Sequence, residues 1–313
     1  MQYKLYYLLE ILLKLLYIIT GVSSMRERSQ HFDPRQTMKL DTFEVFHYRE
    51  PRPNAVEVHH HDFYEVYYLL GGQVEYWVDG RIIRMMPGEL LLINPMELHR
   101  PIPDQSSPVY ERIVLWINKD YLEGLFAGQL RLSSCFDTQM PGHTHLIRPA
   151  ASDRSALTAR MAELVREFYG KDFGSKQCAF GIFLQFMVQL NRMALHTDVL
   201  QEETERLSEL VENVLTYISE HIHEALTLES IAQQFYISKY HLSHAFSREV
   251  GVSVYRYIMM RRLLMARQLL AAGEPAGQVC RNCGFSDYTS FYRAFKSEYG
   301  ISPRDFVSGN ETS

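Results

Sequence analysis

The most constraining feature of this chain is an internal repeat towards its C-terminus. Residues 231–251 read IAQQFYISKYHLSHAFSREVG, and residues 279–300 read VCRNCGFSDYTSFYRAFKSEYG. The two align with an offset of 48 up to Ser238 and Ser286. Beyond that the offset is 49, so that Leu242 meets Phe291, Phe246 meets Phe295, Gly251 meets Gly300 and Ser253 meets Ser302. A one-residue difference falls where a turn absorbs it. Each copy reads as a short helix, a tight turn and a longer helix. In the first, Thr227 is the expected N-cap, and Leu228, Ile231, Ala232 and Phe235 recur at helical spacing. Ala276, Val279, Cys280 and Cys283 repeat that spacing in the second. Ser238 and Ser286 are the expected caps of the longer helices. The predicted helix-turn-helix units span 228–250 and 276–299.

On the longer helices Leu242, Ala245 and Phe246 form the inner side, matched by Phe291, Ala294 and Phe295. The outer side then carries Lys239, Tyr240, Ser243, His244, Ser247 and Arg248 in the first copy. In the second it carries Tyr288, Thr289, Tyr292, Arg293 and Lys296. These are hydrogen-bond donors and stacking groups with few acids. A helix fits the DNA major groove, where such groups reach base edges and phosphates. The alternative is a paired helical repeat that only packs. Charge favours the first reading. The chain of 313 residues has a formal net charge of −5, yet residues 238–307 hold ten basic and five acidic residues, leaving +5 there and −10 elsewhere. Between the copies, residues 254–271 read as one connecting helix of 18 residues, about 27 Å long. Neighbouring major-groove faces are about 34 Å apart, so both outer faces are expected to reach one side of a duplex. Arg256, Arg261, Arg262 and Arg267 on the connector either touch phosphates or pair with acids across the domain. Four cysteines exclude a disulfide scaffold and imply a reducing compartment. Cys280 and Cys283 are expected as small packing residues on a helix face, not as a metal or redox pair.

Residues 43–117 differ in character. The runs 63–70, 74–78, 81–85, 90–93 and 112–117 are rich in β-branched and aromatic residues and are separated by turn formers, of which Asp79-Gly80 is the strongest hairpin signal. Many short strands imply a sandwich or small barrel. Residues 156–169 then place Leu157, Met161, Leu164, Val165 and Phe168 on one helical face, and 177–196 is apolar almost all round, requiring burial against the barrel or another subunit. The polar stretch 197–206 reads as a linker. At the N-terminus, residues 5–22 are rich in Leu, Ile and Tyr but include Glu10 and Lys14. Three readings stand: an extension upstream of a start at Met25, an amphipathic helix, or a membrane anchor.

The motifs LTLESIA, ISKYHLSHAF, GVSVYRYI and GFSDYTSFYRAFKSEYGISPRDF resemble the DNA-binding domain of AraC/XylS-type regulators over residues 207 to about 307. The resemblance implies base-reading positions at Tyr240, Ser243, His244, Thr289, Tyr292 and Arg293. In one place the copies differ: Tyr236 stands where Gly284 sits in the second, and a bulky residue at positive φ is costly, so a differently shaped first turn is expected. His59-His60-His61-Asp62-Phe63-Tyr64-Glu65, Gly71-Gly72, Pro87-Gly88 and His99 resemble a cupin barrel. In metal-bearing cupins the corresponding ligand set is His59, His61, Glu65 and His99, which opens a metal-dependent enzyme as the second reading. The regulator reading implies no enzyme activity, no cofactor and no metal. Instead, His59, His61, Glu65, Trp77 and His99 line an effector site, with Trp77 and Trp116 available to stack on a sugar.

The resulting expectation is an α+β chain. An extension at 1–30 precedes a cupin-like sensor barrel at 40–150, a helical dimerisation pair at 151–197 and a linker at 198–206. An all-α domain of two helix-turn-helix units joined by a linker helix follows at 207–308. The resemblance implies double-stranded DNA, a small effector such as a sugar, a second copy and, for an activator, RNA polymerase as partners in the cytoplasm.

Overall fold

The structure, a computed structural model, describes residues 37–51, 56–140, 143–196, 204–205 and 207–310. The N-terminal apolar run and most of the linker stretch lie outside these residues. The chain divides into two compact units, the first ending at Glu205 and the second starting at Arg206.

Among the described residues, the first unit holds nine strands: β1 (Phe43–Glu50), β2 (Tyr64–Gly71), β3 (Val74–Val78), β4 (Arg81–Met85), β5 (Leu90–Ile93), β6 (His99–Pro103), β7 (Tyr110–Ile117), β8 (Leu146–Ile147) and β9 (Thr204–Glu205). They form a five-stranded sheet ordered β1-β7-β2-β5-β8 and a four-stranded sheet ordered β6-β3-β4-β9. All pairings are antiparallel. Asp79 and Gly80 join β3 to β4 with φ of 41° and 93°; two successive positive φ values make the turn whose twist matches a hairpin. Two residues of the expected linker, Thr204 and Glu205, pair with Ile83 and Ile82 at the edge of the second sheet.

Alternation along the strands sorts side chains into two cores. Phe43, Val45, Tyr64, Val66, Leu115 and Ile117 face a helical layer. Phe46, Phe63, Tyr67, Val114 and Trp116 point the other way, into the space between the sheets, where Val74, Tyr76, Val78 and Ile83 meet them. The five-stranded sheet is therefore covered on both faces, and all eight residues of β7 are buried. The helical layer comprises the short α1 (Lys119–Gly124), α2 (Ala151–Phe168) and α3 (Ser175–His196). From α2, Leu157, Met161, Leu164 and Val165 are buried; from α3, Phe183, Phe186, Met187 and Leu190. The Phe183 ring stacks on Phe43 of β1 at 4.4 Å. By length and apolarity α3 is also the one helix among the described residues that would suit a membrane; here its inner face lies on the sheet.

The second unit is all helix: α4 (Glu209–Glu220), α5 (Leu228–Gln234), α6 (Lys239–Val250), α7 (Val254–Ala271), α8 (Ala276–Asn282), α9 (Tyr288–Tyr299) and α10 (Pro303–Asn310). Local chemistry sets each boundary. The Thr227 hydroxyl accepts from the Ser230 N–H in a reciprocal capping box, and Ser238 and Ser253 cap α6 and α7. The longer helix of each copy ends on a left-handed glycine, Gly251 at φ 93° and Gly300 at φ 74°. The cap of α9 is Asp287, which accepts from the Ser290 N–H at 2.8 Å, and not Ser286 as the repeat alignment implied. Cys280 and Cys283 are buried with Val279, Phe285, Phe291, Phe295 and the α7 residues Leu263, Ala266 and Leu270. Burial pushes both thiols up, that of Cys283 to about 12.

Candidate DNA-reading faces and ligand site

The two copies fold through the same turn. Phe235 and Cys283 donate to Ile231 and Val279. Tyr236 and Gly284 donate to Gln233 and Arg281, and Ile237 and Phe285 to Ala232 and Cys280. Tyr236 takes φ 55° and Gly284 φ 75°. A differently shaped first turn was expected; the difference is confined to the side chain, because Tyr236 is 96% exposed and its bulk meets nothing. Gly284 has no such freedom. A Cβ there would lie 2.7 Å from the Ile222 carbonyl oxygen and 2.8 Å from Arg262 Nη2.

On α6, Lys239, Tyr240, His244, Ser247 and Arg248 are exposed and Ser243 is half-buried. On α9, Tyr288, Thr289, Arg293 and Lys296 are exposed and Tyr292 is half-buried, its ring 6.4 Å from that of Tyr288. Lys239 pairs with Glu229 at 2.9 Å and Arg248 with Glu249 at 2.8 Å. The Lys239–Glu229 pair is exposed on both sides and worth at most about 1 kcal/mol, so a phosphate can replace that acid; Glu249 is half-buried and also accepts from the Ser208 N–H and hydroxyl. Among the described residues, Arg293 and Lys296 have no acidic partner. The connector arginines divide differently. Arg262 is buried and donates to the carbonyls of Ile222 and Glu224. Arg256 pairs with Glu298 at 3.0 Å, and Arg267 lies over the rings of Tyr299 and Phe306 at 5.4 and 5.5 Å. These three stitch α7 to its neighbours.

In the first unit, strand register decides which candidate residues meet. Glu65 on β2 opposes Trp116 and Ile93, facing the space between the sheets. His99 opposes Val78 on β3, whose side chain lies in the same space. His61 precedes β2, with its ring stacked on Phe63 at 3.9 Å and 4.8 Å from that of His99. His59 bridges to His99 through paired backbone hydrogen bonds, and the two rings are 4.3 Å apart. Trp77 does not join this group. It opposes Arg100, one residue out of step with Val78 and His99, and so points to the other face of β3. Trp116 is the tryptophan that does meet the cluster, donating from Nε1 to Glu65 at 2.8 Å. Burial lowers all three histidines, His61 to about 3, so each is a neutral imidazole at neutral pH. His61, Glu65 and His99 each offer one ligand atom within 4.8 Å of the others. Such a donor set fits a divalent metal; His59, the fourth residue of the implied ligand set, stands outside that grouping.

Sequence reasoning missed a second polar group between the sheets. The Tyr67 and Tyr110 hydroxyls hydrogen-bond. Arg112 lies over the Tyr48 and Tyr110 rings at 4.8 and 4.4 Å and pairs with Glu50 at 2.8 Å. The signal was present as alternation: Tyr110 and Arg112 precede Val114 and Trp116 at period two.

A ligand-binding barrel preceding paired helix-turn-helix units defines an effector-linked DNA-binding transcription regulator. Residues 42–171 match the family profile of the AraC-like ligand binding domain, and residues 231–308 match that of a helix-turn-helix domain. The chain belongs to the AraC/XylS-type regulators. Among curated relatives, the HTH-type transcriptional activator RhaS of Escherichia coli is 26% identical over 265 residues, which are 84% of this chain and 92% of the relative. Similar solved structures include the C-terminal domain of AraT, a response regulator from Geobacillus stearothermophilus. It is 30% identical with a TM-score of 0.33, covering 34% of this chain and 88% of that one. ToxT from Vibrio cholerae is 15% identical with a TM-score of 0.33, covering 85% of this chain and 98% of that one.

Proposed function

We propose that this chain is a cytoplasmic, homodimeric activator of carbohydrate-utilisation genes. It binds its operator through the exposed faces of α6 and α9 and answers to a sugar-like effector held between the two sheets. Residues 40–150 are the sensor, 151–197 the dimerisation pair, 198–206 the linker and 207–308 the DNA reader. The observation that carries this reading is the duplicated turn, with a polar, cationic face on the longer helix of each copy. The acid-free pair Arg293 and Lys296 is its strongest part. For the effector, the supporting chemistry is a set of buried phenols, a buried arginine–glutamate pair and the Glu65–Trp116 contact, which suit a ligand rich in hydroxyls. Activation is supported by the similarity to RhaS, a transcriptional activator, and RNA polymerase is the partner that activation requires. Effector binding acts by favouring one of two states that differ in the half-sites a dimer can span.

A genome-wide footprint of bound DNA supplies the operator and, through neighbouring genes, the sugar panel for calorimetry. On that operator Arg293→Ala weakens binding by about 1–3 kcal/mol. Unchanged affinity removes Arg293 from the interface. A panel in which no sugar gives heat removes the carbohydrate assignment and leaves the DNA-binding one standing.

A further inference from the structure

The loop after α1 and the outer side of the helical layer enclose a groove of about 630 Å³. On α3, Phe183, Phe186, Met187 and Leu190 pack into the core beneath the sheet, whereas Leu184, Val188, Gln189 and Arg192 line the groove. Phe126 and Leu130 line it from the loop, and Arg160 from α2. Phe126 and Leu130 are 46% and 51% exposed. Phe126 also sits in the left-handed region at φ 57°, which a bulky residue adopts only at a cost. Backbone strain that leaves a ring in solvent is characteristic of ligand clamps.

Charge narrows the ligand. None of the residues lining the groove is acidic, and two are arginines. Arg160 is held by neutral acceptors, donating from Nη1 to Gln189 Oε1 at 3.0 Å and to the Gln185 carbonyl at 3.5 Å. Arg192 is exposed, and among the described residues neither arginine pairs with an acid. The acids on neighbouring segments are engaged elsewhere: Glu163 with Arg166, Asp137 with Arg131, and Glu123 as acceptor for the Tyr64 hydroxyl. Apolar walls with two unmatched guanidiniums suit an apolar body carrying an anionic head, because guanidinium binds carboxylate and phosphate through paired N–H bonds. A second copy of the chain fits less well, since a two-fold contact through the groove would gather four unmatched guanidiniums in one interface. The exposed Phe173 and Phe180, outside the groove, stay available to a partner subunit.

We propose that this groove binds a small amphiphilic anion, a carboxylate or phosphate monoester on an apolar body. Arg160 and Arg192 hold the head, and Phe126, Leu130, Leu184 and Val188 cover the body. The groove is separate from the space between the sheets, so the site stands whether or not the barrel binds a sugar.

The test titrates the full chain in a calorimeter with octanoate and with octyl phosphate, against octanol and octylammonium as probes without the anion. At least one anion gives a single saturable site per chain, and the stronger of the two names the head group. Octanol binds at least about 10-fold more weakly, and octylammonium gives no saturable heat. Arg192→Gln weakens the anions by about 10-fold or more, as for a lost hydrogen bond to a charged group, and leaves octanol unchanged. Leu130→Asp, which puts an acid into the groove, weakens the anions more than octanol. Both positions are exposed, so these variants read out even where Arg160→Gln loosens the contact between α2 and α3. Phe173→Ala leaves binding unchanged. No saturable heat from either anion, octanol binding as tightly as the anions, or affinity unchanged by Arg192→Gln overturns the proposal. A loss with Phe173→Ala as large as that with Arg192→Gln means adsorption to exposed apolar surface and overturns it equally.

Discussion

Gly284 and Tyr236 occupy equivalent turns with nearly the same backbone, yet substitution should treat them oppositely. Gly284→Ala adds a methyl at φ 75°, against a carbonyl at 2.7 Å and a guanidinium at 2.8 Å, and should cost more than about 1 kcal/mol. Tyr236→Gly removes a side chain that is 96% exposed. Relief of a left-handed residue, about 1 kcal/mol, is offset by the flexibility glycine gives the unfolded chain, so the net change stays within about 1 kcal/mol. Thermal unfolding of the two variants checks the contrast; equal losses would mean that strain and not packing governs both turns. The repeat made these turns legible in the sequence, but their contents were not. Steric cost argued for a reshaped first turn because sequence does not reveal exposure. Asp287, which caps α9, was passed over for Ser286 because the alignment put serine opposite serine.

At the level of elements, the segments whose pattern had one cause were legible and those with two were not. Asp79-Gly80 fixes its hairpin by backbone chirality alone. By contrast β7, legible as a strand in the run 112–117, is buried on both faces, so its composition does not show which face meets which core, and its pairing with β1 joins residues too distant in sequence for any local motif to register. β6 contains Pro101 and Pro103, which argue against a strand, and the sheet accommodates them because β6 is an edge. The same double covering makes α3 a structural element of the barrel. Phe183→Ala empties the stack on Phe43 and should cost about 3–5 kcal/mol, lowering the melting temperature of the whole chain. A loss under about 1 kcal/mol would show that α3 detaches from the sheet without consequence. Within the second unit, Asp287→Ala should cost about 1 kcal/mol and speed hydrogen exchange at the first turn of α9 ahead of any other helix. Uniform acceleration would mean the cap serves the whole unit and not the helix end.

Across the whole molecule charge is unevenly spent: residues 238–307 carry +5 while the remainder carries −10. A chain that is acidic overall approaches DNA productively only with its basic segment foremost, and the acidic remainder disfavours other orientations. Binding should therefore weaken steeply as salt rises, because each phosphate neutralised releases a condensed counterion. The slope also separates the roles of individual cations. Lys296 is exposed at the last turn of α9 and, among the described residues, pairs with no acid. As a phosphate contact, Lys296→Ala should weaken binding to operator and unrelated duplex alike and flatten the plot of log affinity against log salt by about one unit. Lys239 begins from a 2.9 Å pairing with Glu229, which must open before a phosphate is engaged. Lys239→Ala should therefore cost less than Lys296→Ala at every salt concentration, and Glu229→Gln should tighten binding by freeing that cation. If Glu229→Gln leaves affinity unchanged while Lys296→Ala flattens the slope as expected, DNA contact is confined to the second copy, and the duplicated turn serves α6 as packing alone.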